Sequence, residues 1–213
     1  MTASIALQRA IDEAVSILRR KGVVAFPTDT LYGLGADAFC EQAVSRVYDI
    51  KGRSGDMALP VLLGSTQDLQ KVAINITDMA WKLVEHFWPG PLTLILEKSP
   101  EVHPIVTGGR DSVAVRMPDH YVPLTLVREL GSPVTGTSAN PSGGPDPVTA
   151  DDVRLLLGEK VDYLVDGGPA TKGSPSTILD LTSRTNPRIV RLGAITHDAL
   201  QSFCSTPLEI SRR

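Results

Sequence analysis

The chain has 213 residues, with 21 Lys and Arg against 24 Asp and Glu, a formal net charge of -3, 42 % hydrophobic and 21 % charged residues. That is the size and composition of one globular domain, which excludes a disordered chain and a strongly basic polyanion-coating protein, though not a local basic pocket. Aromatics at 5 % argue against a base-stacking platform, and the distant Cys40 and Cys204 exclude a disulfide framework or Cys-rich zinc site.

In chain order, Leu7, Ile11, Ala14, Val15 and Leu18 share one helical face, with Ser4 to cap the start and Gly22 as a stop. VVAF at 23–26 reads as a buried strand ended by Pro27. A second helix is expected over 41–50, then a strand at 59–63, and Ser65 with Asp68 signals a capping box for a short helix. The helix predicted over 77–87 stops at WPGP, whose prolines forbid continuation. LTLIL (92–96) and SVAVRM (112–117) read as strands, 121–130 as a helix ended by Gly131, and 133–137 as another strand. Thr149 and Asp152 make a second capping box for a helix ending at Gly158. VDYLV, STILDL and RIVRL supply three more strands, and a last short helix is expected near 197–203. This alternation, without repeat or linker, predicts a single domain over 1–213 of α/β (α+β) class, three-layered, with seven or eight strands. No apolar run approaches the roughly 18 residues of a membrane span, and Arg9, Asp12 and Glu13 interrupt any signal-peptide core, so a cytoplasmic protein without membrane partners is expected.

Several motifs have a chemical reading and a plainer one. GLGADA at 33–38 satisfies G-x-G-x-x-A, but the preceding strand ends at Pro27 and the next helix begins near Glu41, so its glycines read as letting two strands approach closely. No Gly-Lys dipeptide occurs, which removes a Walker P-loop. GTSAN at 136–140 is an imperfect nucleophile elbow, and His86, His103, His120 and His197 adjoin turns or helix ends, where capping roles fit better than base catalysis. No paired-carboxylate or H-x-x-x-H spacing marks a metal centre. The joint pattern is more informative: PTDT, KGRS, Arg116, TSAN, SPST and Arg191 all fall at strand ends, where open α/β sheets bind ligands. Hydroxyls and cations gathered there point to a polyanion pocket. Lys51 and Arg53, two apart, would share a direction on an extended segment and suit two phosphate oxygens.

PTDTLYGLGADAF, KGR, WPGPLT, SVAVRMP, TSANPSG, DGG, STILDLT and RLGAI together resemble the YrdC/TsaC family, the threonylcarbamoyl-AMP synthases, over about residues 8–200. The resemblance implies a YrdC/RibB-like twisted mixed β-sheet with helices on both faces around a positively charged cavity. It implies joining L-threonine, bicarbonate (or CO2) and ATP, with Mg2+, into threonylcarbamoyl-AMP and diphosphate. That product would supply the downstream t6A transferase machinery acting on tRNA. Residue by residue, Lys51, Arg53, Ser138 and Asn140 match the family's KxR…SxN tetrad against ATP, taken here as the catalytic set. Thr30, Arg116 and Ser176 match threonine-binding positions, Arg116 holding the carboxylate. Ser112 and Arg191, with Lys51, Arg53 and Ser138, match nucleotide-binding positions. No metal ligand is carried over. Met57, Leu62 and Asp146 depart from the family pattern around the adenosine, and the second C-terminal domain of longer relatives is expected to be lacking. The intact Ser138-Ala139-Asn140 favours the synthase over the YciO branch. The rival readings are an RNA-binding module of the same fold making weak tRNA contact, and a carbamoyl-transfer domain of hydrogenase-maturation type. The Gly- and Pro-rich segments at 108–112 and 141–147 are candidate lids.

Overall fold

A computed structural model describes residues 4–171, 173–204 and 207–211. Helix α1 (Ile5–Arg19) starts where Ser4 Oγ accepts from the Leu7 N–H at 3.2 Å, and buries Ile11, Ala14, Val15, Ile17 and Leu18. After it, the left-handed residue is Lys21, at φ 65°, while Gly22 is needed for space, because a Cβ there would run into Ile17. Strands β1 (Val24–Phe26) and β2 (Gly33–Gly35) follow, then α2 (Glu41–Lys51), closed by Gly52 at φ 58°. β3 (Val61–Leu62) leads to a 3-10 turn at Thr66–Asp68 carrying the expected Ser65–Asp68 capping box, and to α3 (Leu69–Val72). α4 (Asp78–Phe87), capped by Thr77, ends before a cis Trp88–Pro89 bond. β4 (Leu92–Glu97), α5 (Pro104–Thr107), β5 (Ser112–Arg116) and α6 (Tyr121–Leu130) come next. β6 (Val134–Thr135), β7 (Thr137–Ser138), α7 (Ala150–Leu157) and β8 (Tyr163–Leu164) precede β9 (Thr177–Asp180), β10 (Arg188–Arg191), α8 (His197–Gln201) and β11 (Glu209–Ile210).

The class is mixed α/β as expected, but the strands form two sheets and number eleven among the described residues. A seven-stranded sheet runs β11-β10-β9-β4-β5-β3-β6 and a four-stranded one β7-β2-β1-β8, both mixing parallel and antiparallel pairs. The single strand expected at 133–137 divides at Gly136, with β6 in the large sheet and β7 in the small one. A Cβ on Gly136 would collide with the Leu62 side chain, so only glycine lets the chain cross there. Gly35 is equally confined, its missing Cβ facing the Thr135 carbonyl, Val134 and Phe26, which agrees with close strand approach in GLGADA.

Apolar burial holds the layers together. One cluster joins α1, β1 and α6 through Leu18, Phe26, Val122 and Leu126, and a larger one joins α2, α4 and the large sheet through Val47, Leu83, Leu94, Val115 and Leu179. Among the described residues no helix is long and apolar enough to cross a membrane.

Candidate active site

Between the two sheets lies a cavity of about 630 Å³. Its floor is a register row across five neighbouring strands of the large sheet. Leu62 on β3 pairs with Arg116 on β5, Thr93 on β4 stands one step from the Leu94–Val115 pair, and Ile178 on β9 pairs with both Thr93 and Arg191. All five line the cavity. Alternation along each strand aims such a row at one face, so a single register choice sets the floor chemistry. The small sheet supplies the roof with Gly33 on β2 and Ser138 on β7, joined by Thr30 and Tyr32 from the turn between β1 and β2.

The inner end is pinned. Thr28 Oγ1 accepts from the Thr30 and Leu31 N–H groups and donates to Leu31 O at 2.7 Å, which fixes the PTDT turn. Arg116, 6 % exposed, donates from Nε to Gly90 O at 2.9 Å, from Nη1 to Thr30 Oγ1 at 2.8 Å, and from Nη2 to the Asp29 carboxylate. Burial pushes its guanidinium pKa down, Asp29 pulls it back, and Arg191 lowers it again. Three of five guanidinium donors are thus set by the protein, which orients the remaining fork for a bidentate carboxylate. Ser176 Oγ stands 2.8 Å from Thr93 Oγ1, and Arg191 donates from Nη2 to Ser176 O at 2.9 Å and Oγ at 3.2 Å. Tyr32 donates to Gly168 O at 2.7 Å, and burial together with Asp166 raises its phenol to about 12, so it is a neutral wall.

At the other end Arg53, Met57, Ala58, Arg110 and Asp146 line the cavity, and the expectation for Lys51 needs correction. Lys51 is the last residue of α2, not part of an extended segment, and Gly52 turns the chain so that Lys51 and Arg53 diverge. At 2 % exposure, its ammonium donates to Ser138 O at 2.6 Å, Asn140 O at 2.8 Å and Asn140 Oδ1 at 3.2 Å. Its three N–H groups are committed to the TSAN turn, and it does not line the cavity. Burial first, and Arg53 second, lower its pKa to about 8, against a pull upward from Asp146. Asn140 is also behind the wall, accepting from Ser138 Oγ at 2.7 Å and donating to Gly144 O and Pro145 O. Arg53 faces the cavity, held by Nε to Ser142 Oγ at 3.2 Å.

The structure therefore gathers Thr30, Arg53, Arg116, Ser138, Ser176 and Arg191 around one cavity, with Lys51 and Asn140 buried just behind. Ser112 is not among the lining residues. It opposes Glu97, four residues along β5 from Arg116 and about 13 Å away at strand rise. Sequence reasoning missed Asp29, Thr93 and Arg110, although PTDT, WPGPLT and the segment at 108–112 contain them. Ser138 meets Asn140 and no histidine lines the cavity among the described residues, so the nucleophile-elbow reading has no base. His103 and His120 cap α5 and α6, as expected for histidines at helix ends. Among the described residues no cluster of three His, Cys, Asp or Glu is placed to hold a metal. Asp146 is the carboxylate among the lining residues.

Residues 16–193 match the Sua5/YciO/YrdC family, described as "Telomere recombination". The chain is similar to the threonylcarbamoyl-AMP synthases of Pyrococcus abyssi (41 % identical, covering 92 % of this chain and 58 % of the relative) and Bacillus subtilis (42 %, covering 95 % and 58 %). It thus spans 58 % of the length of each. The solved structure of P. abyssi Sua5 complexed with L-threonine superposes with a TM-score of 0.91 at 39 % identity, covering 94 % of this chain and 58 % of that one. On these likenesses, and with the pinned arginine and the strand row carrying Thr93, Arg116 and Arg191 already in place, the chain belongs to the Sua5/YciO/YrdC family.

Proposed function

We propose that the protein is a threonylcarbamoyl-AMP synthase, using L-threonine, bicarbonate or CO2, and ATP to make threonylcarbamoyl-AMP and diphosphate in the cytoplasm, for downstream machinery that installs t6A in tRNA. The observation that carries this reading is the two-ended cavity. One end holds an arginine already oriented by Asp29, Thr30 and Gly90, suited to an amino-acid carboxylate, and the other presents arginines to a polyphosphate. Support also comes from family membership and from the relative crystallised with L-threonine.

In this reading Arg116 grips the threonine carboxylate, with Thr30 and Ser176 alongside. The neutral threonine amine forms a bond to CO2 and loses a proton, giving an N-carboxylate. One oxygen of that carboxylate then bonds to the α-phosphorus of ATP, and the bond to the β-phosphate bridging oxygen breaks, releasing diphosphate. No enzyme nucleophile is required. The work of the protein is to orient two anions against each other and to stabilise charge on the transferring and leaving oxygens. Arg53, Ser138 and Arg191 face that charge, while Lys51 and Asn140 fix the turn that carries Ser138. ATP enters as its Mg2+ complex, so the metal arrives with substrate.

The test is diphosphate release with each substrate omitted in turn, and mass identification of the adenylate. Release is expected only with threonine, bicarbonate and ATP together. Equal release without threonine would overturn the assignment.

A further inference from the structure

The two ends of the cavity differ in how their cations are held. Arg116 and Arg191 are fastened to fixed protein acceptors, and Lys51 has no N–H left to offer. At the open end Arg53 lines the cavity and donates from Nε to Ser142 Oγ, and its Nη groups carry no protein hydrogen bond among the described residues. Arg110, exposed and lining the cavity with Met57, donates from Nη1 to Asp56 O at 2.8 Å and Thr107 O at 3.4 Å. Its Nε and Nη2 carry no protein hydrogen bond among the described residues. The tether is built in. Gly108 adopts φ 58°, and a Cβ on it would strike Asp56 O and the Arg110 guanidinium, so glycine is what permits the α5–β5 loop to lie against the 52–58 loop. Both arginines act on the Tyr48 hydroxyl, which itself donates to Met57 O at 2.8 Å and Ile105 O at 2.7 Å, so both surround one loop.

We propose that Arg110 is a polyphosphate-binding residue, the second arm of a clamp with Arg53 that holds the leaving diphosphate at the rim. The proposal rests on the reading that the cavity takes ATP. Two planar guanidinium groups with open edges match a ligand with several equivalent anionic oxygens, and one arginine alone is a weak answer to about four negative charges. Asp146 lines the same cavity, so an anion entering it meets one carboxylate as well as the two guanidinium groups, and two cations answer that repulsion better than one.

The experiment is isothermal titration of wild-type protein, Arg110→Gln and Arg110→Lys with ATP, inorganic diphosphate and L-threonine. Gln can still donate to Asp56 O but carries no charge. Its affinity for ATP and for diphosphate is expected to fall on the order of tenfold, with threonine affinity unchanged. Lys retains the charge without the fork and is expected to fall between wild type and Gln. Unchanged diphosphate affinity in both variants overturns the proposal. If Gln proves unstable, an Arg110→Lys variant with wild-type affinity for ATP and diphosphate overturns it alone. Failure of wild-type protein to bind either ATP or diphosphate would overturn the functional reading as well, and so is distinguishable from failure of Arg110 alone.

Discussion

Lys51 shows how one buried side chain changes its meaning with backbone conformation. The K-x-R spacing is legible, but the inference that both cations point one way needs an extended chain. Gly52 at φ 58° ends α2 between them, and nothing in a single sequence distinguishes a glycine that caps a helix from one that merely loosens a loop. With three acceptors gathered on its ammonium, Lys51→Met leaves two carbonyls and the Asn140 side chain short of donors in a buried place. The expected cost is about 2–4 kcal/mol in urea unfolding, with turnover lost along with the placement of Ser138. Arg53→Ala, at a more open position tied by one side-chain bond, is expected to lose turnover while stability stays within about 0.5 kcal/mol of wild type. A stability loss for Arg53→Ala equal to that of Lys51→Met would break this division of labour. The cavity positions of Thr30, Arg116, Ser138, Ser176 and Arg191 were readable because each stands in a motif beside a strand end that also carries the family resemblance. Asp29 was not, since its partner lies 87 positions away in sequence.

Helices were legible because their ends carry local chemistry. Ser4, Thr77 and Thr149 each accept from the backbone N–H three residues on, and Ser65 shares a full capping box with Asp68. β3, β6 and β8 fall inside segments already read as strands, whereas β2 and β11, of three and two residues, have too few positions for alternation to register, and their partners are chosen by distant segments. α6 adds a pH-dependent cap. His120 Nδ1 accepts from the Val122 N–H at 3.2 Å, which only the imidazole unprotonated at that nitrogen can do. Burial pushes its pKa below the usual value of about 6.5, with Asp29 and Asp119 pulling the other way. As pH falls through about 6.5 the unfolded chain gains a proton that the folded protein resists, so stability is complete above that pH and declines below it. Thermal midpoints at pH 7.5 and 5.5 should show a larger drop for wild type than for His120→Asn, which keeps a capping oxygen and does not titrate. Equal drops would show that the cap does not sense protons.

The class, every α-helix but α5, and the cavity positions of Thr30, Arg53, Arg116, Ser138, Ser176 and Arg191 could be read from the chain, whereas the division into two sheets could not. It depends on Gly136 handing the chain from β6 to β7, and on Gly35 allowing β2 to lie beside β6, where Thr135 N–H donates to Ala36 O at 2.8 Å and Thr135 Oγ1 accepts from the Ala36 N–H at 3.0 Å. Gly35→Ala would place a methyl against a backbone carbonyl that cannot rotate away. A loss of about 1–3 kcal/mol is expected by denaturant unfolding, together with weaker threonine binding, because the seam that opens is the one enclosing the cavity. Wild-type stability and affinity in that variant would mean that the seam is looser than its contacts indicate.

That seam also fixes how occupancy and architecture are coupled. Floor residues belong to one sheet and roof residues to the other sheet and its β1–β2 turn, so a molecule between them would be a strut bridging two halves. A ligand touching both would add its binding free energy to the packing of the two sheets, so occupancy of the cavity is expected to raise the stability of the whole fold.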